Sequence, residues 1–407
     1  MDGSPRKKKT KLCVCTIYVD GAPLQVKTGR DGVSVVQVNF AFDNTLRDPE
    51  ALLERYATLT GWAEAVRDAG ADRSIVVQQF SRAARVVRRG IEYRFVIGGV
   101  GHAVAALSPG VAHVNGLEFA ARTWRLRRAL PPGTAIVVQN HSDTGPIGRA
   151  PLMRLVGAAT RGAVDAFLFA ADAHVERWRR AGFIGSGQQT YQVMEASTAL
   201  EPLPRVQAEA TSGMRGRPAM LWVGRLNANK DPLTILDAFE RALPSLPHAT
   251  LTMLCGAADL ASEVRARIDR HAALRDRVQL IGAVAHERIA AYYSAADLFV
   301  VGSHYEGSGY ALIEALACGV APAVTDIPTF RLLTGDGAVG ALWRPGDAAD
   351  CARAMVAAVS GDVEAERRRV RGHFAQHFSW PAIGRRALAI YRAVAAARST
   401  SKLSVAQ

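Results

Sequence analysis

The stretch AMLWVGRLNANKDPLTILDAFERAL (Ala219–Leu243) decides the fold. It opens with an unbroken apolar run, AMLWVG, passes through the polar turn RLNANKDP, and continues with apolar residues at helical spacing. A strand that is apolar throughout is buried on both faces, and a helix directly after it is the unit from which a parallel sheet is built. The pattern repeats downstream as ATLTMLCG, a helix near Ala261–Ala273, VQLIG, a short helix, and DLFVVGS. After these come a helix at Tyr310–Ala317, the strand APAVTD and a helix from Asp347. Upstream, the alternation starts at VSVVQVNF (Val33–Phe40) and a helix at Pro49–Ala69. The strands SIVVQQF, YRFVIGG, VAHVN and AIVVQN follow, then a helix beginning near Pro151 and FLFAA near Phe167. Between the two series lies EPLPRVQAEATSGMRGRP (Glu201–Pro218), rich in Pro, Gly and polar residues, the composition of a linker. The expected architecture is α/β, with two Rossmann-like doubly wound domains facing across a cleft at the carboxyl ends of their strands. Residues 1–30 are expected to be a disordered basic tail and 31–200 the N-terminal domain. Residues 201–218 are the linker, 219–380 the C-terminal domain, and 381–407 a helix crossing back to the N-terminal domain.

Length and composition agree with this division. A chain of 407 residues exceeds what one hydrophobic core usually supports. With 49% hydrophobic and 21% charged residues it reads as a folded protein, which excludes disordered and collagen-like classes. The net charge of +13 is uneven: residues 1–200 carry 26 basic and 17 acidic side chains. That excess suits an anionic acceptor, a membrane surface or simple solubility, and charge alone does not choose among them. Five scattered cysteines (Cys13, Cys15, Cys255, Cys318, Cys351) make no disulfide framework and favour a reducing compartment. No apolar run approaches a membrane span. The RKKKTK segment before Leu12–Val19 imitates a signal peptide, but the apolar stretch is short and lacks a small-x-small cleavage site. A cytoplasmic protein is therefore expected, with peripheral contact at the inner membrane face left open.

The chemistry concentrates in the second half. GRLNANKDP (Gly224–Pro232) follows a strand directly, which places Arg225 and Lys230 at its carboxyl end. Two cations on such a loop suit a diphosphate, Arg by a bidentate fork and Lys as a point charge. Taken alone, they could equally be ordinary surface charges. HYEGSGYALIEALACG (His304–Gly319) runs from a strand end through a glycine-rich turn into a helix. Ser308 is the expected N-cap, and the amides after Gly309 (Tyr310, Ala311, Leu312) form an anion site at the helix N-terminus. Glu306 lies before those amides, and Glu314 lies roughly 7–8 Å up the helix. Carboxylates on either side of a diphosphate site can accept hydroxyl hydrogen bonds from a sugar and from a ribose. Each acid alone reads as a solvated surface group; together with Arg225 and Lys230 they match a nucleotide sugar.

At these residues the sequence resembles the family 4 glycosyltransferases of the GT-B fold, through a G-R-x-x-x-x-K-like loop and a Glu-x7-Glu motif met by Glu306 and Glu314. The likeness continues through ALACGVAPAVTDIP and FSWPAIGRRALAIYRAV and covers about residues 219–395. It implies a retaining transfer of a sugar from a UDP- or GDP-linked donor, bound by residues 219–380, to a glycan, lipid or small-molecule acceptor, with residues 31–200 as the acceptor-side domain. Catalytic roles fall to Lys230, Arg225, Glu306 and His141, the last in AIVVQNHSDTG, where the family ends a strand with a histidine near the donor sugar. By the same resemblance Glu314 holds the ribose and Glu306 contacts the donor sugar, with Ser308, Gly309, Tyr310, Ala311 and Leu312 completing the donor site. Three departures stand out: AFDNTLRDP replaces a Gly-Gly after the first strand, Ser308 and Tyr310 replace the commoner Phe and Leu, and IPTFRLLTG lacks the usual acid. YQVMEAST (Tyr191–Thr198) stands where many members have a Pro-Asn-Gly strand end.

Other chemistries find little support. There is no Asp-x-Asp, so neither a metal nor a resident cofactor is expected. HFAQH (His373–His377) lacks the Glu of a zinc-protease helix. Walker A is absent, and GGVGHAV fails the dinucleotide fingerprint. RAARVVRR (Arg82–Arg89) and RTWRLRR (Arg122–Arg128) read as solvated helix faces, or as attraction to an anionic acceptor or membrane surface. Nucleic acid is not an expected partner, since exposed interleaved aromatics are missing. A GT-B-fold nucleotide-sugar epimerase or hydrolase remains the alternative, and behind it a non-enzymatic polyanion-binding protein.

Overall fold

Short runs of Val, Ile, Leu and Phe set the strands, and the Ala-rich amphipathic segments between them set the helices that cover both faces. The computed structural model describes residues 13–19, 22–28, 32–41, 43–141, 150–256 and 259–403. The chain divides into two compact units. Met1–Val193 with Ile383–Gln407 make the first, and Met194–Ala382 the second. Each is built on one sheet.

The strands of the first unit are β1 (Cys13–Val19), β2 (Ala22–Thr28), β3 (Ser34–Asn39), β4 (Arg73–Gln79), β5 (Ala84–Arg88), β6 (Ile91–Val96), β7 (Val111–Asn115), β8 (Ala135–Gln139), β9 (Ala166–Phe169) and β10 (Gln189–Gln192). Their order is β2-β1-β10-β9-β8-β7-β3-β4-β6-β5. The strands from β10 to β6 pair in parallel, as the apolar runs predict. Alternate residues serve opposite faces: Val36, Val38, Ile75 and Val77 join one core, while Val76 packs with Leu52, Leu53 and Tyr93 in another. This two-sided burial explains why these strands read as continuous rather than alternating.

Both edges of this sheet depart from the expectation. β1 and β2, read as part of a disordered tail, pair antiparallel with Val19 opposite Ala22, and β1 also pairs with β10. RAARVVRR, read as a helix face, supplies β5, antiparallel to β6. Arg89 and Gly90, both at positive φ (47° and 76°), make the two-residue turn whose twist suits a hairpin. RTWRLRR does lie in a helix, Ala120–Ala129. The single helix expected over Pro49–Ala69 is two, Pro49–Arg55 and Ala57–Asp68, because Tyr56 leaves helical geometry at φ −112°, ψ 63°.

In the second unit the strands are β11 (Ala219–Gly224), β12 (Thr250–Cys255), β13 (Val278–Ile281), β14 (Leu298–Val301), β15 (Ala321–Thr325) and β16 (Ala341–Trp343). They pair in parallel in the order β13-β12-β11-β14-β15-β16. In chain order that is 3-2-1-4-5-6, the Rossmann arrangement. The connections reverse direction between β11 and β14, so the carboxyl ends of these two strands border the switch point where such sheets bind ligands.

The Pro/Gly-rich stretch 201–218 is not a bare linker. It holds the helix Arg205–Ser212 and lies inside the second unit, whose boundary falls earlier, between Val193 and Met194. Arg205 explains this. Its guanidinium bonds Glu209 at 2.8 Å and the buried Asp297 at 2.5 Å, and Asp297 also accepts the Ala219 amide at 2.8 Å. The side chain of Arg205 is 28% exposed. Arg205→Ala is therefore expected to cost roughly 2 kcal/mol, less than the loss of a fully buried pair. Urea denaturation followed by tryptophan fluorescence measures it; an unchanged midpoint would show that this clip contributes nothing.

Candidate active site

The loop after β11 and the loop after β14 meet at the switch point. Lys230 stands at the end of a turn closed by its own amide, which donates to the Asn227 carbonyl at 3.1 Å and to Asn227 Oδ1 at 3.0 Å. Asp231 follows in the left-handed region (φ 45°) and caps the helix Pro232–Ala242 by accepting the Thr234 amide. The lysine stands immediately before this cap. Its ammonium donates to Glu306 Oε1 in a short contact, with the two side chains 20% and 14% exposed. Ser303 Oγ donates to the same carboxylate oxygen at 2.6 Å, and Thr329 Oγ1 to the Glu306 carbonyl at 2.6 Å. Thr329 stands where the segment lacks its usual acid, and it ties down the loop that carries Glu306. Arg331 in the same segment pairs with Asp326.

Two further bonds join the loops. The His304 amide donates to the Asn229 carbonyl at 2.9 Å, and His304 Nε2 lies 3.2 Å from Asp231 Oδ2. Asn229 also exchanges side-chain bonds with the Tyr305 backbone at 3.2 Å. Gly302 lets the loops approach, since a Cβ there would lie 3.3 Å from the Lys230 and Asp231 carbonyls. Arg225 is exposed, and among the described residues no carboxylate pairs with it.

The helix Tyr310–Ala317 begins differently from the expectation. Gly309, at φ 64°, is its N-cap residue, and Ser308 makes no capping bond. The Ser308 hydroxyl goes instead to the buried Glu195, whose Oε1 accepts it at 2.6 Å. The amide of Leu312 is also engaged, donating to the Gly309 carbonyl at 2.9 Å, and its side chain is buried. Open amides among the described residues thus narrow to Tyr310 and Ala311. Gly309 is required twice over: its φ is left-handed, and a Cβ would lie 2.8 Å from Leu333 and 3.1 Å from Phe330. Gly309→Ala is expected to destabilise by roughly 1–2 kcal/mol and to weaken anion binding by moving the helix start. A melting curve superposable on wild type, with unchanged nucleotide affinity, would refute that.

Glu314 lies on the same helix and is buried, accepting the Tyr293 hydroxyl at 3.0 Å. Burial pushes its carboxyl up to about 7, and the Tyr293 bond opposes that only in part. The Tyr310 hydroxyl is likewise raised, by burial and then by the charge of Glu314. Tyr310 is partly exposed.

His141 belongs to the first unit, just past β8. Its Nε2 lies 2.9 Å from Asn115 Oδ1. Desolvation lowers its pKa to about 4, although the residue is exposed. Sequence reading picked neither Asn115 nor Glu195; both act through partners distant in the chain. His373 of HFAQH bonds the Leu333 carbonyl at 2.9 Å, and among the described residues no cluster of three potential ligands could hold a metal ion.

Residues 208–375 match the model of the glycosyl transferases group 1 family. The chain is 26% identical over 287 residues to a GDP-mannose:cellobiosyl-diphosphopolyprenol alpha-mannosyltransferase of Xanthomonas campestris, covering 69% of this chain and 73% of that protein. It is 33% identical over 192 residues to a D-inositol 3-phosphate glycosyltransferase of Nocardia farcinica, covering 45% and 42%. Among solved structures it resembles the sucrose-phosphate synthase of Thermosynechococcus elongatus, with a TM-score of 0.64 and 20% identity over 89% of this chain and all of that one. Anabaena HepE, solved with UDP, aligns at a TM-score of 0.66 and 15% identity over 88% of this chain and all of that one. These likenesses favour transfer over the epimerase or hydrolase reading.

Proposed function

From the match of residues 208–375 to the glycosyl transferases group 1 family, we propose that the chain moves a sugar from a UDP- or GDP-linked donor to an acceptor hydroxyl with retained configuration. The observation that carries this reading is the Lys230–Glu306 pair at the switch point, four residues ahead of a helix start with open amides. Lys230 and the exposed Arg225 face the leaving diphosphate, whose charge grows as the glycosidic bond breaks, and the Tyr310 and Ala311 amides add to that field. Glu306 accepts a donor-sugar hydroxyl, Glu314 accepts from the ribose, and His141 hydrogen-bonds the sugar. The acceptor attacks from the face the diphosphate leaves, and a phosphate oxygen takes its proton. The cations and the helix start supply the charge that a divalent ion would otherwise carry.

The acceptor class we propose is phosphorylated. Relatives are named for a diphosphopolyprenol and an inositol 3-phosphate acceptor, and the excess of basic residues in 1–200 suits an anion. No helix among the described residues is long and apolar enough to cross a membrane, and the proposed setting is the cytoplasm, with peripheral contact at the inner membrane face. The test is stereochemical. Product formed in EDTA from an α-linked UDP- or GDP-sugar should show the α anomer by proton NMR. A β product, or transfer that requires a divalent ion, would overturn the reading.

A further inference from the structure

In the first sheet the chain lays β4 and β6 on one side of β3 and then crosses to place β7 on the other. The carboxyl ends of β3 and β7 thus border that sheet's own switch point, where Asn39 and Asn115 stand in register. One run of side-chain hydrogen bonds starts in the interior and ends there. Trp62 Nε1 donates to Tyr391 Oη at 2.9 Å, and Tyr391 Oη contacts His113 Nδ1. His113 Nε2 lies 3.0 Å from Asn115 Oδ1, and His141 Nε2 lies 2.9 Å from the same oxygen. Asn115 Nδ2 donates to Asn39 Oδ1 at 2.5 Å. Trp62, His113 and Tyr391 are buried, and both outer rings pack against the imidazole of His113 edge-on.

Hydrogen-bond chemistry gives this run one direction. An indole N–H can only donate, so Tyr391 Oη accepts from Trp62 and must place its own proton elsewhere. Among the described residues its other partner is His113 Nδ1, which therefore holds a lone pair. His113 is neutral, since burial lowers its pKa to about 3, and its proton sits on Nε2. That N–H donates to Asn115 Oδ1, which turns the amide oxygen toward both imidazoles and the NH2 toward Asn39. A carbonyl oxygen cannot donate, so His141 must also carry its proton on Nε2. The opposite polarity would leave the Tyr391 hydroxyl proton without an acceptor in an apolar interior.

We propose that Asn115, held by His113 and behind it Tyr391, is a positioning residue that fixes His141 as its Nε2–H tautomer, so that His141 meets the donor sugar as a hydrogen-bond acceptor at Nδ1. No described residue occupies that nitrogen. The idea rests on the reading of His141 as a donor-sugar contact. It assigns His141 the opposite role from a charged imidazolium: it receives a sugar hydroxyl proton in a hydrogen bond and adds no positive charge. It also makes activity depend on Tyr391, which lies in the helix Trp380–Leu403 at the far end of the chain.

Long-range proton–nitrogen NMR of the full chain labelled with 15N-histidine tests it, with the His141 signals assigned by their loss in His141→Gln. Wild type should show His141 protonated at Nε2 and unprotonated at Nδ1. Asn115→Leu should convert that pattern to a mixture of tautomers and lower kcat by about 10-fold. Tyr391→Phe should move the His113 signals and, through Asn115, those of His141. Asn115→Asp should keep the Nε2–H tautomer and shift the acid limb of the pH–rate profile up by about one unit, because a carboxylate favours the charged imidazole. A wild-type His141 protonated at Nδ1, or an Nε2–H pattern unchanged in Asn115→Leu, would overturn the proposal. Full activity of His141→Ala would instead remove the functional reading of His141 and leave the tautomer result standing on its own.

Discussion

Lys230→Ala is expected to lower kcat by about 100-fold or more, with a smaller change in donor KM. The reason is where the charge is held and when it is needed. The Lys230 ammonium sits at the carboxyl end of β11, braced by its turn and by Glu306. An interaction with a diphosphate strengthens as the leaving group takes up negative charge, so its loss is felt in the transition state more than in the bound donor. The fold should survive the change, because Ser303 still donates to Glu306 and Thr329 still holds its loop. Lys230→Arg should recover only part of the rate, since a planar fork does not replace a point charge in the same space. Steady-state kinetics with a saturable donor, on a sample with a wild-type circular dichroism spectrum, measures the effect. Unchanged turnover in Lys230→Ala would remove this residue from the chemistry.

Glu314→Ala is expected to act at the other end of the donor, raising its dissociation constant by roughly 10- to 150-fold, or about 1.5–3 kcal/mol for charged hydrogen bonds. The ribose changes little during reaction, so kcat at saturating donor should fall far less. The burial of Glu314 adds a signature that few surface acids would show. Its carboxyl is raised from 4.5 to about 7, so the folded protein binds this proton more tightly than the unfolded chain does. Stability from this group is full below pH 4.5 and declines as pH rises toward 7. The loss at pH 8 is on the order of 3 kcal/mol. Glu314→Gln keeps an acceptor for Tyr293 and carries no charge to bury. It should therefore be more stable than wild type at pH 8, about equal to it at pH 4.5, and weaker in donor binding above pH 7, where the wild-type group is a carboxylate. Wild-type donor affinity should itself decline as pH falls through 7. Melting curves of the two proteins at both pH values decide this; a Gln variant less stable at pH 8 would contradict the buried, costly carboxylate.

These two residues also show how much of the site was legible in the sequence. Lys230 and Glu306 could be found because each follows an apolar run that can only be a buried strand, and the 3-2-1-4-5-6 order brings those strand ends together. Glu314 could be placed by helical rise alone. Other bonds around the site were hidden, since their partners come from elsewhere in the chain. Glu195, which takes the hydroxyl of Ser308, is 113 residues away from it and stands in YQVMEAST, a segment noted only for lacking a Pro-Asn-Gly end. Asn115 is 26 residues before His141, and Tyr391 is 278 after His113. No local pattern marks such bonds.

The errors in the fold share another cause. Basic residues biased two segments toward solvated readings, although the Arg89-Gly90 pair marks a hairpin turn. In 201–218, Pro and Gly suggested a linker, whereas Arg205 finds a buried carboxylate that no local signal reveals. Strands whose burial is two-sided were legible; edge strands and charge-clipped helices were not.

The most direct test of the account is calorimetric titration of the purified protein, in EDTA, with UDP- and GDP-linked sugars. One of these donors is expected to bind wild type saturably without metal, and at 100 times its Kd to stabilise the fold by about 2.7 kcal/mol. The same donor should bind Glu314→Ala at least roughly 10-fold more weakly. Failure of every UDP- and GDP-sugar to bind in EDTA, or equal affinity for wild type and Glu314→Ala, would contradict the donor site built on Lys230, Glu306 and the Tyr310–Ala317 helix.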